Sequence, residues 1–465
     1  MKKFLKITLS LLIVLVIGYF IYTKYQKTVV FKNVVHIDAE SVIKVSIHDI
    51  KKTLIFDALS SPKYYWNNAQ FSEKKKENDT IEEPEKGIDL LPYALVFYTI
   101  KEVENTVFTT FKIDDATLFE AYALRYFKEK NIPVHKEQYN YVIDEKSKMI
   151  AAWNSERLSI AFSPNIAYQD CKSIFDDVLL ENKLISDRDN FYMDKLRASD
   201  DHITYLKGNS EVTLNFRDGK AVLKGMLYSE LPGTFKSETS YTTIPNASLQ
   251  LYIDANFKND IHKKVVAHVF EGASFFKKNN IDVSTFLNKV NGSFSLAIKG
   301  TTTQKDTIIT YEYDDNFEKV EIKQIQEKKV PAIMMNISSE NKLNDYLTSQ
   351  GAIQQGILTA IPYYTFYAKQ DALNATFTTV EQNIATQKMT GSYFLSLKTD
   401  FRLLQQDISI PKVNKVTTLL ESLEINARQG DENKIELRGN LQGMNADINI
   451  LSQLFFSLQA KDSIL

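Results

Sequence analysis

Two predicted β-hairpins of similar sequence, far apart in the chain, constrain the fold more than any other feature. The first covers residues 211–228, where Asp218 and Gly219 tolerate the positive φ angles of a tight hairpin turn. The second covers residues 423–442 and has a longer turn. One tripeptide pattern recurs in both hairpins, as Leu223-Lys224-Gly225 and Leu437-Arg438-Gly439. Such a recurrence at long range indicates a duplicated unit.

Two further features recur in the same order, roughly 190–215 residues apart. Each half opens with an alternating strand that runs into a helix. The apolar positions of these strands are Ile43, Val45 and Ile47, and then Leu249, Leu251 and Ile253. Each half then has a short Ile-Asp segment before a pair of strands, and these segments are Gly87-Ile88-Asp89 and Asn280-Ile281-Asp282. Three features in one order predict two copies of one domain.

The predicted fold class is α+β, with two similar tandem domains of antiparallel sheet, helices packed on one face, and one N-terminal transmembrane helix before them. The domains are expected to cover residues 29–235 and 236–465, with the join within residues 229–243. A charged insertion at about residues 72–87 is expected to be solvated.

The transmembrane prediction comes from the N-terminal segment, which is apolar from Ile7 to Tyr22 and has lysines on both sides. Its length approaches the roughly 17–25 residues that span a bilayer, and no small-residue cleavage pattern follows it. The sequence therefore predicts a signal anchor over residues 1–28, with a buried core helix as the alternative. The predicted location is the inner (cytoplasmic) membrane, single-pass, with the bulk of the chain extracytoplasmic, that is, periplasmic.

Charge and cysteine content exclude several classes of protein. The net charge of −2 gives no basic field that would attract nucleic acid. Cys171 is the single cysteine, so an intramolecular disulfide and every multi-cysteine metal site are excluded. No cysteine follows the apolar run, which excludes a lipid attached there.

Short segments carry a family resemblance. They are Ile37-Asp38-Ala39 with residues 42–47, Ile244-Pro245-Asn246-Ala247, and Gly87-Ile88-Asp89. In this layout the chain resembles a large uncharacterised family of exported, membrane-anchored bacterial envelope proteins, which are often lipoproteins. The resemblance implies an envelope location and the duplicated architecture. It implies no activity and no functional residues.

Common catalytic and cofactor signatures are missing from the sequence, including the nucleophile elbow, the phosphate-binding loop and the dinucleotide-binding glycine motif. Ser41 and Lys44 have the spacing of penicillin-binding enzymes, but the alternating pattern predicts a strand that places them on opposite faces. The same spacing at Ser72 and Lys75 falls in the charged insertion. We therefore predict no catalytic residue and no cofactor.

Metal ligands are also not predicted. The six histidines are scattered, and His262 and His268 lie six residues apart, which separates them on a helix. Asp187, Asp189 and Asp194 resemble a calcium loop but lack its glycine and its final glutamate. Helix capping or solvation accounts for them better.

Two aromatic clusters remain as candidates for contact with a partner. Tyr64, Tyr65 and Trp66 precede the charged insertion and are the candidate contact residues, with a core position as the alternative. The second cluster is expected to face a core. Its members are Tyr363, Tyr364, Phe366 and Tyr367.

The leading functional prediction is a non-enzymatic, membrane-anchored binding or scaffolding protein of the bacterial envelope, with a cleft between its two copies as the expected ligand position. The alternatives are an envelope lipid-binding or transport protein and an enzyme of unrecognised class. The predicted partners are the membrane, through the N-terminal helix, and an envelope protein, glycan or lipid. Nucleic acid is not among them.

Overall fold

The computed structural model describes residues 22–462. The gaps within that range are residues 74–84, 91, 166, 187–189, 230–238, 258, 314–318, 340–341, 360, 362, 409–416 and 432. The chain forms two compact units, Met1–Phe216 with Phe456–Leu465, and Arg217–Phe455.

The first unit is a meander of short strands interrupted by helices. Its strands are β1 (Ala39–Val45), β2 (Leu95–Ile100), β3 (Val107–Lys112), β4 (His135–Lys136), β5 (Asn140–Asp144), β6 (Met149–Trp153), β7 (Arg157–Phe162), β8 (Ile203–Lys207) and β9 (Ser210–Arg217). They pair in the order β9-β8-β1-β2-β3-β7-β6-β5-β4, and every pair is antiparallel. Its helices are α1, whose described part covers residues 22–29, α2 (Ile47–Ser60), α3 (Pro62–Glu73), α4 (Ala116–Glu129), α5 (Tyr168–Leu179) and α6 (Phe191–Ala198).

Local sequence explains where these elements begin. Asp115 caps α4, since its carboxylate accepts hydrogen bonds from the backbone nitrogens of Thr117 and Leu118, each at 2.9 Å. The carbonyl of Gly87 accepts from the backbone nitrogens of Asp114 and Asp115. Gly87 has a φ of +65°, and a Cβ there would lie 2.6 Å from the nitrogen of Phe119. The predicted Gly-Ile-Asp segment therefore requires glycine for a close turn against the start of α4.

The first unit buries two apolar clusters. One joins the sheet to α5 through Tyr98, Phe108 and Phe175, all fully buried. The other surrounds Trp153, which stacks on Phe127 of α4. Alternate residues of β2 are buried, as the period of a strand requires.

The second unit contains the remaining strands. They are β10 (Lys220–Tyr228), β11 (Thr239–Thr243), β12 (Leu249–Asp254), β13 (Ser293–Tyr313), β14 (Lys319–Ser338), β15 (Ile353–Gln354), β16 (Ile357–Leu358), β17 (Tyr367–Gln370), β18 (Asn374–Thr378), β19 (Gln387–Gly391), β20 (Leu395–Asp400), β21 (Leu420–Gln429) and β22 (Lys434–Gly443). The helices are α7 (Asp260–Glu271), α8 (Ser274–Lys278), α9 (Val283–Asn288), α10 (Leu343–Ser349), α11 (Phe401–Asp407) and α12 (Ile450–Asp462), of which α12 continues past the end of the unit.

The sheet of the second unit has the order β10-β22-β21-β20-β12-β13-β14-β18-β17-β16-β15. The nine strands from β21 to β15 in this order show the same succession of pairings as the nine strands from β9 to β4 in the first unit. β1 in the first unit and β12 in the second each lie between the strand that follows in the chain, β2 or β13, and a late strand, β8 or β20. The helices after β1 and β12, and after β3 and β14, also correspond. The two units therefore share one topology.

The units differ in two places. Between β7 and β8 the first unit has α5 and α6, whereas the second has β19 between β18 and β20, and β19 pairs with β11 in a separate two-stranded sheet. The hairpin of β13 and β14 is also much longer than that of β2 and β3, with 21 and 20 residues in its strands.

The prediction of a transmembrane helix over residues 1–28 is wrong. No helix among the described residues is both long and apolar enough to span a bilayer. Residues 1–21 of that segment lie outside the described residues. The described end of it is α1, where the ammonium of Lys27 pairs with Asp200 at 2.5 Å. The signal anchor and the single-pass inner-membrane, periplasmic location, which were inferred from that helix, are corrected with it.

The predicted fold class is corrected as well. It contained the transmembrane helix, and it expected a separate sheet in each tandem domain. Instead, 20 described strands belong to a large antiparallel sheet with helices around it. The predicted domain bounds, 29–235 and 236–465, remain a prediction. Much of the predicted insertion, residues 74–84, and of the predicted join, residues 230–238, lies outside the described residues.

Candidate functional site

The first unit contains a cleft of about 910 Å³. This volume lies within the roughly 300–1,000 Å³ that is typical of small-molecule sites. Its walls are α1 with the turn that follows it, the start of β2 and the end of β3. The turn at residues 155–157 and Arg197 of α6 complete the rim.

The α1 wall is held in place by the segment after it. Phe31 and Val35 are buried in the core of the unit. The backbone nitrogen of Asn33 donates to the carbonyl of Ile185 at 3.0 Å, and Ile185 returns a bond to Val35 at 2.8 Å. These contacts position α1 over the sheet without using a polar side chain that faces the cleft.

The floor is formed by β2 and β3, and its hydroxyl groups are already used. The hydroxyl of Thr109 donates to the carbonyl of Val96 at 2.8 Å, and the hydroxyl of Thr110 lies 3.1 Å from that of Tyr98. Leu95 and Phe111 add partly exposed apolar surface. The floor therefore presents apolar surface beside hydroxyl groups that already have partners.

The rim carries four cationic and three acidic side chains. They are Lys32, Lys112, Arg157 and Arg197, and Asp89, Asp114 and Glu156. The two arginines are each paired with an exposed carboxylate, at 3.1 Å and 3.2 Å. Lys32 and Lys112 have no carboxylate within 4.0 Å among the described residues. The ammonium groups of Lys32 and Lys112 thus remain available at a rim that also carries the carboxylates of Asp89 and Asp114.

The apolar surface of the floor, together with available ammonium groups at the rim, suits an elongated molecule that has an apolar body and an anionic group. The described residues contain no group of three or more histidine, cysteine, aspartate or glutamate side chains placed to hold a metal ion.

Ser41 and Lys44 lie on opposite faces of β1, as the alternating pattern predicts. The hydroxyl of Ser41 lies 2.7 Å from that of Thr99. The ammonium of Lys44 donates to the carbonyl of Ser199 at 2.6 Å on the other side of the sheet. The two side chains therefore cannot act together.

The three candidate contact residues lie on α3. Tyr64 and Tyr65 pack edge-on against Phe456, with ring centroids 5.9 Å and 5.5 Å apart, and the hydroxyl of Tyr65 donates to Asp57. Trp66 is 69% exposed. The structure thus separates Trp66 from the two packed tyrosines, and their role in contact with a partner stays a prediction.

The second aromatic cluster divides in a similar way. Phe366 is buried in the core of the second unit, and Tyr364 packs against that core. Tyr363 is 79% exposed. The expectation that the whole cluster faces a core is therefore wrong for Tyr363.

The remaining polar candidates have structural surroundings. His36 is buried with its Nε2 atom 3.4 Å from Asp177, and His262 is buried with its Nδ1 atom 3.1 Å from the carbonyl of Ala255. Cys171 is buried in α5, and burial raises the pKa of its thiol to about 11. Asp194 pairs with Arg197, whereas residues 187 and 189 lie outside the described residues.

Sequence reasoning missed the cleft. Its cationic residues come from four separate segments of the chain. Lys27, which lies in α1, fits the sequence pattern of a membrane anchor's flank. No spacing pattern joins Lys32, Lys112 and Arg157, so no sequence signal would have found them.

Comparison with known proteins adds no relative in sequence. No family model matches the chain, and no curated protein sequence matches it. Among solved structures, crystal form IV of TP0453 aligns with 41% of this chain and 76% of its own length, at 9% identity and a TM-score of 0.23. Likeness at that level supports no inference about fold or function.

Proposed function

We propose that the protein is a non-enzymatic binding protein, and that its first unit takes an elongated ligand with an apolar body and an anionic group. The observation that supports this most strongly is the cleft of about 910 Å³, which has apolar surface on its floor and, at its rim, the ammonium groups of Lys32 and Lys112, unpaired among the described residues. A binding role accounts for this concave surface better than a purely scaffolding role does.

Electrostatics favours an anionic over a cationic ligand. Lys112 is exposed at the end of β3 and has no carboxylate partner among the described residues. A ligand anion beside it gains a charge pair, which at a protein surface is worth on the order of a few kcal/mol before desolvation. The apolar floor contributes about 25 cal/mol for each Å² of apolar ligand surface that it covers.

Fluorescence titration of the full chain with cis-parinaric acid, a long-chain carboxylate that emits in apolar surroundings, tests the proposal. We expect saturable binding that Lys112→Glu weakens by about tenfold, which is about 1.4 kcal/mol. The alcohol analogue of the same probe should bind weakly and show no dependence on Lys112.

The matched control is Lys101→Glu, which makes the same charge change at an exposed turn outside the cleft. It should leave the affinity within about twofold of the wild type, because an exposed charge more than a Debye length of ~10 Å away is largely screened. Equal affinities for wild type and Lys112→Glu, or no saturable signal at all, would show that the cleft does not bind such a ligand.

A further inference from the structure

The second unit contains a smaller cavity of about 250 Å³ whose lining is polar throughout. Each of its 11 lining residues is a serine, threonine, tyrosine, asparagine or aspartate. The cavity lies between β11 and the face of the sheet formed by β12, β13 and β14. No apolar or cationic residue is among the described residues that line it.

The polar residues form two rows that cross adjacent strands. The first polar row is Tyr252, Ser295 and Asn336, which are cross-strand partners. The second polar row, two residues further along each strand, is Asp254, Ser293, Ser338 and Asn374. The residues between the rows point to the opposite face, where Ile337 and Ala375 join the core of the unit.

The first polar row is fixed by bonds within the protein. The hydroxyl of Ser295 donates to the carbonyl of Thr242 in β11 at 2.9 Å. The amide oxygen of Asn336 accepts from the hydroxyl of Thr376 at 2.6 Å. The bond of Ser295 ties β11 to the sheet, and the bond of Asn336 joins β14 to β18.

Three side chains of the second polar row, those of Ser293, Ser338 and Asn374, have long contacts, whereas the carboxylate of Asp254 accepts from the backbone nitrogen of Asn256 at 2.9 Å. The hydroxyl of Ser293 lies 3.4 Å from that of Tyr252, and the hydroxyl of Ser338 lies 3.4 Å from the carbonyl of Leu373. The amide nitrogen of Asn374 lies 3.5 Å from the carboxylate of Asp371. Good hydrogen bonds of these types measure about 2.7–3.0 Å, so the side chains of Ser293, Ser338 and Asn374 retain capacity for better partners.

We infer that this cavity binds a neutral, polyhydroxylated small molecule of about monosaccharide size. Hydroxyl groups both donate and accept, which matches a lining of hydroxyls, amides and one carboxylate. An anionic ligand would meet Asp254 with no compensating cation among the described lining residues. The cavity is far larger than the ~10–15 Å³ that one water molecule needs, and it lies just below the range typical of drug-sized ligands.

The hydroxyl of Tyr252 supplies a fixed donor at the junction of the two rows. Burial raises the pKa of Tyr252 to about 12, so the phenol keeps its proton at neutral pH. The ring of Tyr252 stacks on Tyr241 of β11 with centroids 4.1 Å apart, which fixes the direction of that hydroxyl.

The test is saturation-transfer NMR on the full chain with D-glucose, D-galactose and myo-inositol as probes at millimolar concentration. At least one probe should receive saturation from the wild type. The double variant Ser293→Val with Ser338→Val removes two hydroxyls of the second row while keeping residues that suit strands. It should weaken binding at least tenfold.

The control double variant is Thr301→Val with Thr303→Val, which makes similar changes on exposed positions of β13 outside the cavity and should bind as the wild type does. Thermal unfolding checks that both variants fold. If none of the three probes binds, the cavity holds water only and the inference is overturned. Binding that the Ser293 and Ser338 changes leave intact overturns it as well. Binding of cis-parinaric acid should be the same in both variants, so this outcome is separate from that of the cleft.

Discussion

At the residue scale, the buried ammonium of Lys44 is the most unusual group in the first unit. Its side chain is 1% exposed, and it donates to the carbonyls of Leu196 and Ser199 at 3.4 Å and 2.6 Å. Burial lowers the pKa of Lys44 to about 8, against the partial compensation of Asp49. Two backbone carbonyls bind the ammonium of Lys44, but removing its charge from water costs free energy.

This cost predicts a pH dependence of stability. The unfolded chain keeps the proton on Lys44 up to its ordinary pKa of 10.5, whereas the folded chain releases it near 8. Between these values the unfolded state binds more protons, so the free energy of unfolding rises with pH. The full change is about 3 kcal/mol, at 1.36 kcal/mol for each pKa unit.

Comparison of the wild type with Lys44→Met isolates this contribution. We expect the difference in unfolding free energy, wild type minus variant, to increase between pH 8 and 10.5. Chemical denaturation at a series of pH values measures it, and the exposed Lys101→Met serves as the control. Parallel curves for wild type and Lys44→Met over this range would contradict the prediction.

At the scale of the element, the recurring tripeptides meet each other across one strand pair. In β10 and β22, Leu223 lies opposite Gly439, and Gly225 lies opposite Leu437. A Cβ added to Gly439 would lie 3.0 Å from that of Leu223. Each leucine thus covers a glycine on the partner strand, which explains why both residue types recur at these positions.

The pair predicts a measurable coupling. Gly439→Val should lower the free energy of unfolding by about 1–3 kcal/mol through overpacking against Leu223. Combination with Leu223→Ala should cost less than the sum of the two single changes, by about 0.5–3 kcal/mol, because the smaller side chain makes room. A double-mutant cycle by chemical denaturation measures this coupling.

Gly391 in β19 provides the matched control, since a Cβ there would meet nothing within 4 Å. Gly391→Val and Leu223→Ala should be additive. Additivity of Gly439→Val with Leu223→Ala as well would show that the proposed packing is absent.

At the scale of the molecule, one topology supports two different surfaces. The first unit has α5 and α6 where the second has β19, which pairs with β11 over a polar face of the sheet. The first unit has a cleft with apolar surface on its floor and charged side chains of both signs at its rim, and the second has a polar cavity whose described lining contains one carboxylate. We therefore expect ligands of different chemistry in the two units.

The positions of the tryptophans and of the single thiol allow a test of whether the first unit unfolds cooperatively. Both tryptophans, Trp66 and Trp153, and the single thiol, Cys171, belong to the first unit. Trp153 and Cys171 are buried in different clusters of that unit. If the unit unfolds as one body, tryptophan emission and the labelling of Cys171 by a thiol reagent should share one denaturation midpoint. Two separate midpoints would show that its clusters unfold independently.

Much of the local structure follows from the sequence. The alternation at Ile43 and Val45 predicts β1, and the tripeptides at residues 223–225 and 437–439 lie in strands, as predicted. The same alternation places Ser41 and Lys44 on opposite faces. These features are short-range, because side-chain direction along a strand depends only on the period of two.

The N-terminal prediction conflicts with the finding that no helix among the described residues is long and apolar enough to span a bilayer. Lys27 was expected to flank a membrane, whereas it pairs with Asp200, far away in the sequence. Only the tertiary fold identifies that partner.

The sequence by itself thus determined strands such as β1, β10 and β22, since these depend on local periodicity and turn chemistry. The tertiary structure alone decided which face of each sheet is covered and by what. Lys32 and Arg157 meet at one cleft, and Ser293 and Ser338 meet at one cavity, because strand pairing brings distant segments together. The binding chemistry lies in those long-range neighbours.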